Sequence, residues 1–436
     1  MLCCHYPTPL PGHEGAFTVD ASRVTFGRGS IAELGARVRS HGATRVGLFT
    51  DAHVAALPFF ERARRSLVDA GLDVAVFDAV VVEPTDRSFV EAARFAVDAK
   101  VDGFVSVGGG SVIDTCKAAA LLATYPADLD AYVNPPVGRG VPIPGPLRPH
   151  VACPTTSGTG SEVTGIAIFD HTGLHAKTGI ASRLLRPSEA LVDPDATATL
   201  PPAVVAASGL DVLCHAIESF TARPFVFRAR PSSPEVRPMS QGRNPWSDLG
   251  CVEAMDLCRR YLVRALDAAD AEAREGMMWA ATLAGIAFGN AGVHLPHAMA
   301  YAVAGLAHET GWGPREGYPS SAGFVPHGFA VALGGPATLR VTGPISPDRH
   351  LRVATLLGAD LRGATPSDAG AVAAETLLGL MSRLAAPVLA DLGATGAHVP
   401  TLVAGTLPQR RLLDNAPLAV DAALLTRLFE VALTPG

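Results

Sequence analysis

The sequence predicts two domains in series, an α/β domain over residues 1–200 and an all-α domain over residues 201–436. Three observations predict it. The chain has 436 residues, more than one hydrophobic core usually holds. As far as Asp193, short apolar runs alternate with helix-like segments, which implies a mainly parallel sheet with helices on both faces. Beyond Pro201, long Ala- and Leu-rich patterns of helical period dominate and regular strand signals are missing.

In order, Arg45–Phe49 reads as a strand and Phe59–Ala70 as a helix, and Leu72–Phe77 with Ser88–Ala99 repeats the pair. Gly103–Val107 is a further strand that runs straight into Gly108-Gly109-Gly110-Ser111, with Val112–Ala123 following as a helix. Leu191-Val192-Asp193-Pro194 reads as the last strand, and the boundary falls near Leu200. In the second domain Cys251–Leu266 and Glu272–Phe288 are the clearest helices. Arg228–Ser247, rich in Pro, Ser and Arg, and Glu309–Gly323, rich in Gly, Pro and Ser, read as loops.

Composition narrows the function. The net charge is −6, from 35 Lys and Arg against 41 Asp and Glu, which argues against a nucleic-acid partner. No run of about 18 uninterrupted apolar residues marks a membrane span. The seven cysteines are odd in number and fit no zinc-ribbon spacing; most sit in apolar surroundings, so a reducing compartment is expected. Residues Met1–Phe17 carry Pro7, Pro9 and Pro11 and no arginine. They read as neither a secretory signal nor a transit peptide, so a cytoplasmic location is expected over a mitochondrial one.

Chemistry is concentrated in a few stretches. A strand, three glycines and a helix start, Gly108 to Asp114, make an anion site, because phosphate oxygens can approach the backbone while helix N–H groups point at them. The spacing is not that of the G-x-G-x-x-G fingerprint, and a tight strand–helix turn would look the same. Asp51 closes an earlier strand, where an acid can bind a ribose 2′-hydroxyl and repel a 2′-phosphate, favouring NAD over NADP; it can equally cap a helix. The hydroxyl- and glycine-rich loop Cys153 to Glu162 can wrap a nucleotide or simply turn the chain, and Lys177 offers a cation or a solvated surface group. In the second domain Asp211 and His215 are four apart and share one helix face. With His327 and either His294 or His297 they make one carboxylate and three imidazoles, a set that suits Fe²⁺ or Zn²⁺ and not Mg²⁺ or Ca²⁺.

Four motifs occur here in a fixed order: Gly108-Gly109-Gly110-Ser111-x-x-Asp114, Pro154-Thr155-Thr156-x-Gly158-Thr159-Gly160-Ser161-Glu162, Gly209-x-Asp211-x-x-x-His215-Ala216-x-Glu218, and Pro326-His327-Gly328. Together they resemble the iron-containing, or group III, alcohol dehydrogenases, from roughly Val24 to the C-terminus. The segments Val82–Asp86, Asp114–Ala119, Lys177–Ile180, Ser208–Ala216, Gln241–Pro245, Gly289–Leu295 and Gly405–Gln409 look closest to one branch of that family. That branch passes hydride between a hydroxyacid such as 4-hydroxybutyrate and an oxoacid such as 2-oxoglutarate.

The resemblance implies a dehydroquinate-synthase-like fold with its site in the cleft between the domains, an iron ion (zinc being the other candidate) and NAD. It implies Asp211, His215, His297 and His327 as metal ligands, with His297 rather than His294 the third. It implies that Asp51, Pro84, Gly109, Gly110, Ser111, Asp114, Thr155, Thr156, Thr159 and Lys177 line the dinucleotide site. Many members carry a second histidine four residues after the third ligand; this chain has Tyr301, whose phenol can still relay a proton. For a substrate carboxylate the candidate cations are Arg230, Arg237, Arg243 and Lys177. The alternative in the same family is an ordinary NAD(P)-dependent alcohol or aldehyde dehydrogenase. Small-molecule substrates and a homodimer are the expected partners, with no membrane. A metal-dependent lyase of similar fold and a binding protein with a dead site are weaker, because all four ligand positions are filled.

Overall fold

The computed structural model describes residues 7–174, 176–314, 317–318 and 323–434. Cys3, Cys4 and residues 315–316 and 319–322 of the 309–323 loop lie outside them. The chain divides into two compact units. One is Asp20–Thr199; the other joins Leu200 onward to the stretch before Asp20. The N-terminal stretch expected in the α/β domain therefore belongs with the helical unit. It forms no strand with the sheet and finds its backbone partners in the 224–243 segment: Glu14 N–H donates to the Arg228 carbonyl, and Thr18 and Gln241 exchange two hydrogen bonds of 2.7 Å.

The α/β unit is built on a six-stranded parallel sheet. Its strands are β1 (Arg23–Phe26), β2 (Arg45–Phe49), β3 (Asp73–Phe77), β4 (Gly103–Gly108), β5 (His150–Pro154) and β8 (Glu189–Val192), in the order β1-β8-β5-β4-β2-β3. Between β5 and β8 the chain makes an antiparallel hairpin, β6 (Ile166–His171) and β7 (Ala176–Ala181). The helices of this unit are α1 (Leu34–Ser40), α2 (Ala52–Ala55), α3 (Pro58–Asp69), α4 (Asp86–Asp98), α5 (Gly110–Thr124) and α6 (Leu129–Tyr132). From β2 the chain steps outward to β3, then returns to place β4 on the other side of β2. The winding reverses between β2 and β4, and in open α/β sheets ligands bind outside the strand C-termini at such a point. Asp51 follows β2 and the glycine turn follows β4.

Every residue of β4 is buried, as a central parallel strand requires. Phe49, Phe104, Val101 and Cys116 pack in one core cluster, and the Phe49 and Phe104 rings stack 5.9 Å apart. A second cluster seats the hairpin: Phe169 and Ile180 bury against Phe89 of α4 and Leu121 of α5. The hairpin was absent from the sequence reading. Its strands are interrupted by Asp170, His171 and Lys177, so no clean apolar alternation announced them.

In the other unit the described residues form helices and no strand. They are α7 (Pro202–Thr221), α8 (Pro245–Tyr261), α9 (Ala271–Ala291), α10 (Leu295–Thr310), α11 (His327–Thr342), α12 (Pro347–Leu356), α13 (Ala369–Arg383), α14 (Val399–Thr406), α15 (Arg410–Leu413) and α16 (Ala422–Leu433). Helix α7 is central, packed by α8, α9 and α11. It is long and apolar enough to cross a membrane by composition, yet it is a core helix, 83% buried. Helix α8 begins six residues before the expected start, inside the stretch read as a loop. Asn244 caps it by accepting the Ser247 N–H at 3.0 Å, and Pro245 takes the first turn, where its missing N–H costs nothing.

Candidate metal centre and nucleotide site

Asp211, His215 and Glu218 stand at i, i+4 and i+7 of α7, on one buried face. His297 comes from the first turn of α10 and His327 opens α11. The Asp211 Oδ1 atom lies 3.7 Å from His215 Nε2, 3.6 Å from His297 Nε2 and 3.9 Å from His327 Nε2. These separations are too long for good hydrogen bonds. Ligand atoms of Asp211, His297 and His327 all fall within 4.8 Å of one another; His215 approaches Asp211 but lies outside that tightest group. Asp211 Oδ1 and His297 Nε2 are buried with no hydrogen-bond partner, which burial normally forbids. One carboxylate and three imidazoles turned on a common point fit a divalent transition metal. The His327 side chain is 34% exposed while those of Asp211, His215 and His297 are 3–8% exposed, so the His327 side is the open one.

The packing holds this geometry. The His215 ring stacks on Phe288 at 4.0 Å. Gly328 is required next to His327: a Cβ there would lie 1.8 Å from the Ala207 carbonyl oxygen of α7. Glu218 closes one of the four sequence motifs, but the sequence alone assigns it no role. Its Oε1 accepts from His297 Nδ1 at 2.6 Å and its Oε2 from the His294 backbone N–H at 2.7 Å. It thus caps the start of α10 and fixes the His297 tautomer with the proton on Nδ1, leaving the Nε2 lone pair for a metal ion. The i+7 spacing from Asp211 was the available signal. His294 faces elsewhere, with Nε2 3.1 Å from the Thr221 hydroxyl.

The electrostatics agree. Burial would raise the Asp211 carboxyl, but His215, His327 and His297 outweigh it and hold the group well below the carboxylate range. Burial drives His215 down to about 3, keeping it neutral with a lone pair to donate. Burial opposes charge on His297 too, yet Glu218 and Asp211 together lift it to about 9. A divalent ion would displace that proton on binding. Tyr301 sits one turn along α10 from His297, partly buried.

In the α/β unit the glycines serve close approach. A Cβ on Gly108 would meet Val112 at 2.4 Å, one on Gly110 would meet Thr159 at 2.6 Å, and one on Gly109 would meet Thr156 at 3.3 Å. Thr155 is tied to the turn by its N–H on the Gly108 carbonyl at 3.0 Å. Asp51 caps α2, its Oδ1 accepting from His53 N and Val54 N, each at 2.9 Å. Ser111 accepts the Glu83 N–H at 3.3 Å, and the carbonyl of Pro84 accepts from Asp170 N at 2.8 Å. Two expected contacts are engaged inside the protein. The Asp114 carboxylate binds Lys117 Nζ at 3.2 Å, Ile168 N at 2.9 Å and the Ser161 hydroxyl, fastening α5 to the hairpin. Lys177 pairs with Glu83 and, at 3.3 Å, with Asp170. Of the candidate arginines, Arg237 is bound to Glu14 and to Thr18, and the Arg230 N–H donates to Gly12; both fasten the N-terminal stretch.

Two family models match the chain, one for iron-containing alcohol dehydrogenase over residues 21–194 and one for the C-terminal part of the same family over residues 239–311. A mitochondrial hydroxyacid-oxoacid transhydrogenase of Bos taurus is 47% identical, covering 96% of this chain and 90% of the relative. Among solved structures, a 1,3-propanediol oxidoreductase superposes with TM-score 0.83 at 28% identity, covering 96% of this chain and all of the other. A sulfoacetaldehyde reductase of Bifidobacterium kashiwanohense, solved with NAD⁺, superposes with TM-score 0.76 at 25% identity, covering 97% and 99%. The fold is dehydroquinate-synthase-like. The expected cytoplasmic location does not stand, because the relatives that match over most of the chain are named as mitochondrial. The composition of the first residues carries no information on where the folded part works.

Proposed function

The chain belongs to the iron-containing alcohol dehydrogenase family and is an oxidoreductase of that type, and we propose that it passes hydride between a hydroxyacid and an oxoacid through retained NAD. The observation that carries the chemistry is the convergence of three imidazole Nε2 atoms, 3.6–3.9 Å away, on one partnerless buried carboxylate oxygen. The relative at 47% identity, named as a hydroxyacid-oxoacid transhydrogenase, supports a hydroxyacid and an oxoacid as the substrate pair, and 4-hydroxybutyrate with 2-oxoglutarate is the pair proposed.

Asp211, His215, His297 and His327 would hold iron, with zinc as the competing ion. When bound, the metal supplies Lewis-acid polarisation of the substrate oxygen. Glu218 holds His297 in the tautomer that can donate from Nε2. His327, on the open side, marks where the substrate oxygen enters. Tyr301 is the proposed relay for the hydroxyl proton. The glycine turn at the start of α5 receives the dinucleotide phosphates on backbone N–H groups. Asp51 is the proposed ribose partner through the carboxylate that also caps α2. In the first half-reaction the carbinol carbon gives up hydride and its hydroxyl a proton; in the second, the oxoacid takes up both.

The test is turnover of 4-hydroxybutyrate with 2-oxoglutarate by metal-loaded enzyme and no added NAD. Joint formation of the semialdehyde and 2-hydroxyglutarate is expected. Silence until free NAD is supplied, followed by accumulation of NADH, would assign an ordinary dehydrogenase.

A further inference from the structure

Glu83 has an unusual backbone. Its φ is +57°, in the left-handed region where Gly, Asn and Asp are the usual exceptions, and the next residue is Pro84. A residue before proline is pushed toward extended conformations, so a glutamate here is doubly disfavoured. Such strain persists only where surrounding contacts over-determine it.

The contacts are specific. The Glu83 carboxylate pairs with Lys177 of β7, which also binds Asp170 of β6 at 3.3 Å. The Glu83 N–H donates to Ser111, in the first turn of α5, at 3.3 Å. Three further bonds fasten the same turn to the hairpin. Asp170 N donates to the Pro84 carbonyl at 2.8 Å, and Asp86 accepts from Thr172 N at 3.3 Å and from its hydroxyl at 3.2 Å. The 83–86 turn therefore lies against the first turn of α5, the helix proposed to receive the dinucleotide phosphates. The Lys177 side chain is 8% exposed and that of Glu83 28%, so water competes little for the pair. Burial would discharge Lys177, but Glu83 and Asp170 outweigh it and keep it a cation.

We propose that Glu83 is a latch: pinned left-handed by its ion pair with Lys177, it fastens the 83–86 turn beside the glycine turn and slows exchange of the bound dinucleotide. This rests on the retained-cofactor reading above and names the residue that makes retention possible. Glu83 is a positioning residue, acting through Lys177 and Ser111.

The experiment measures NADH release from the metal-loaded holoenzyme by stopped-flow fluorescence, for wild type, Glu83→Gln and Glu83→Gly. Gln keeps the shape and removes the charge; Gly suits the left-handed backbone and removes the side chain. Loss of a charge-assisted pair should raise the release rate of both variants about tenfold. Single-turnover hydride transfer from prebound NADH should stay within about twofold of wild type, because nothing at the metal changes. With NAD added, KM for NAD should rise while kcat holds, a split that general loosening of the fold would not give. Wild-type release rates in both variants would overturn the latch. If wild type itself needs free NAD in every cycle, the transhydrogenase reading fails, while the ratio of variant to wild-type release still decides the role of Glu83.

Discussion

Asp211 and Glu218 are two carboxylates on one face of one helix, yet they have different roles: one faces three imidazoles, the other orients one of them. Glu218→Gln keeps an acceptor for His297 Nδ1 but removes the charge. Metal affinity should fall by about 10–100-fold, as for other partners of ligating histidines, and the metal-free chain should also melt lower, because the buried charge on His297 loses its partner. Titration with Fe²⁺ or Zn²⁺ checks it. Asp211 and His215 were legible as a pair because four-residue spacing is a geometric statement. Nothing in the spacing chose between His294 and His297; the Thr221 hydroxyl and Glu218 make that choice, and both contacts are tertiary. Asp114 and Lys177 show the opposite case, where residues of suitable chemistry are engaged by partners more than fifty residues away. At the same scale, burial holds His150 down to about 3, its Nε2 2.8 Å from the Ser106 hydroxyl. Folded chains therefore carry it neutral, while unfolded chains take up its proton below the ordinary value near 6.5. The contribution is fully present above that value and is lost as pH falls toward 3, at up to about 1.4 kcal/mol per pH unit. His150→Asn should lose less stability than wild type between pH 7 and pH 4.5 in urea unfolding; parallel losses would refute the assignment.

Helices α7 and α11 approach so closely at Gly328 that the glycine is as necessary to the metal centre as the histidine before it. Gly328→Ala would force a methyl group against the Ala207 carbonyl, 1.8 Å away. Overpacking of this kind costs about 1–3 kcal/mol, and it should also shift His327 and weaken metal binding. Calorimetric melting and metal titration of the variant check both effects, and an unchanged metal affinity would show that α11 can slide without moving its first residue. The strands β2, β3 and β4 and helices α3 to α5 were readable because their apolar periods are clean and turn residues bound them. Helix α8 was misjudged at its start, because Asn244-Pro245 looks like a loop and is a cap followed by a first-turn proline. The hairpin was missed because its charged positions are satisfied by tertiary partners: Lys177 by Glu83 and Asp170, and Asp170 N by Pro84.

At the scale of the whole molecule, the proposed metal ligands all lie after Leu200 and the glycine turn lies before it, so the two proposed binding functions should separate by mutation. Gly110→Val, which would crowd Thr159, should weaken NAD binding by more than about tenfold while metal content per chain stays at the wild-type level. Calorimetry with NAD and elemental analysis of the same preparation decide it; joint loss would mean that the two functions are not separable. The division of the chain into two domains was legible from composition, but its N-terminal limit was not, since a proline-rich stretch carries no period that says which partner it will join. That stretch returns in another light. Residues 12–18 exchange hydrogen bonds with the 228–241 segment, and among the described residues β1 pairs with β8 alone, which ends at Val192. Synthesis runs from N- to C-terminus, so residues 18–26 wait for partners that emerge some 170 to 220 residues later. Throughout that interval these residues lack the partners that the finished chain gives them, so both contacts close late, after most of the α/β unit has been made.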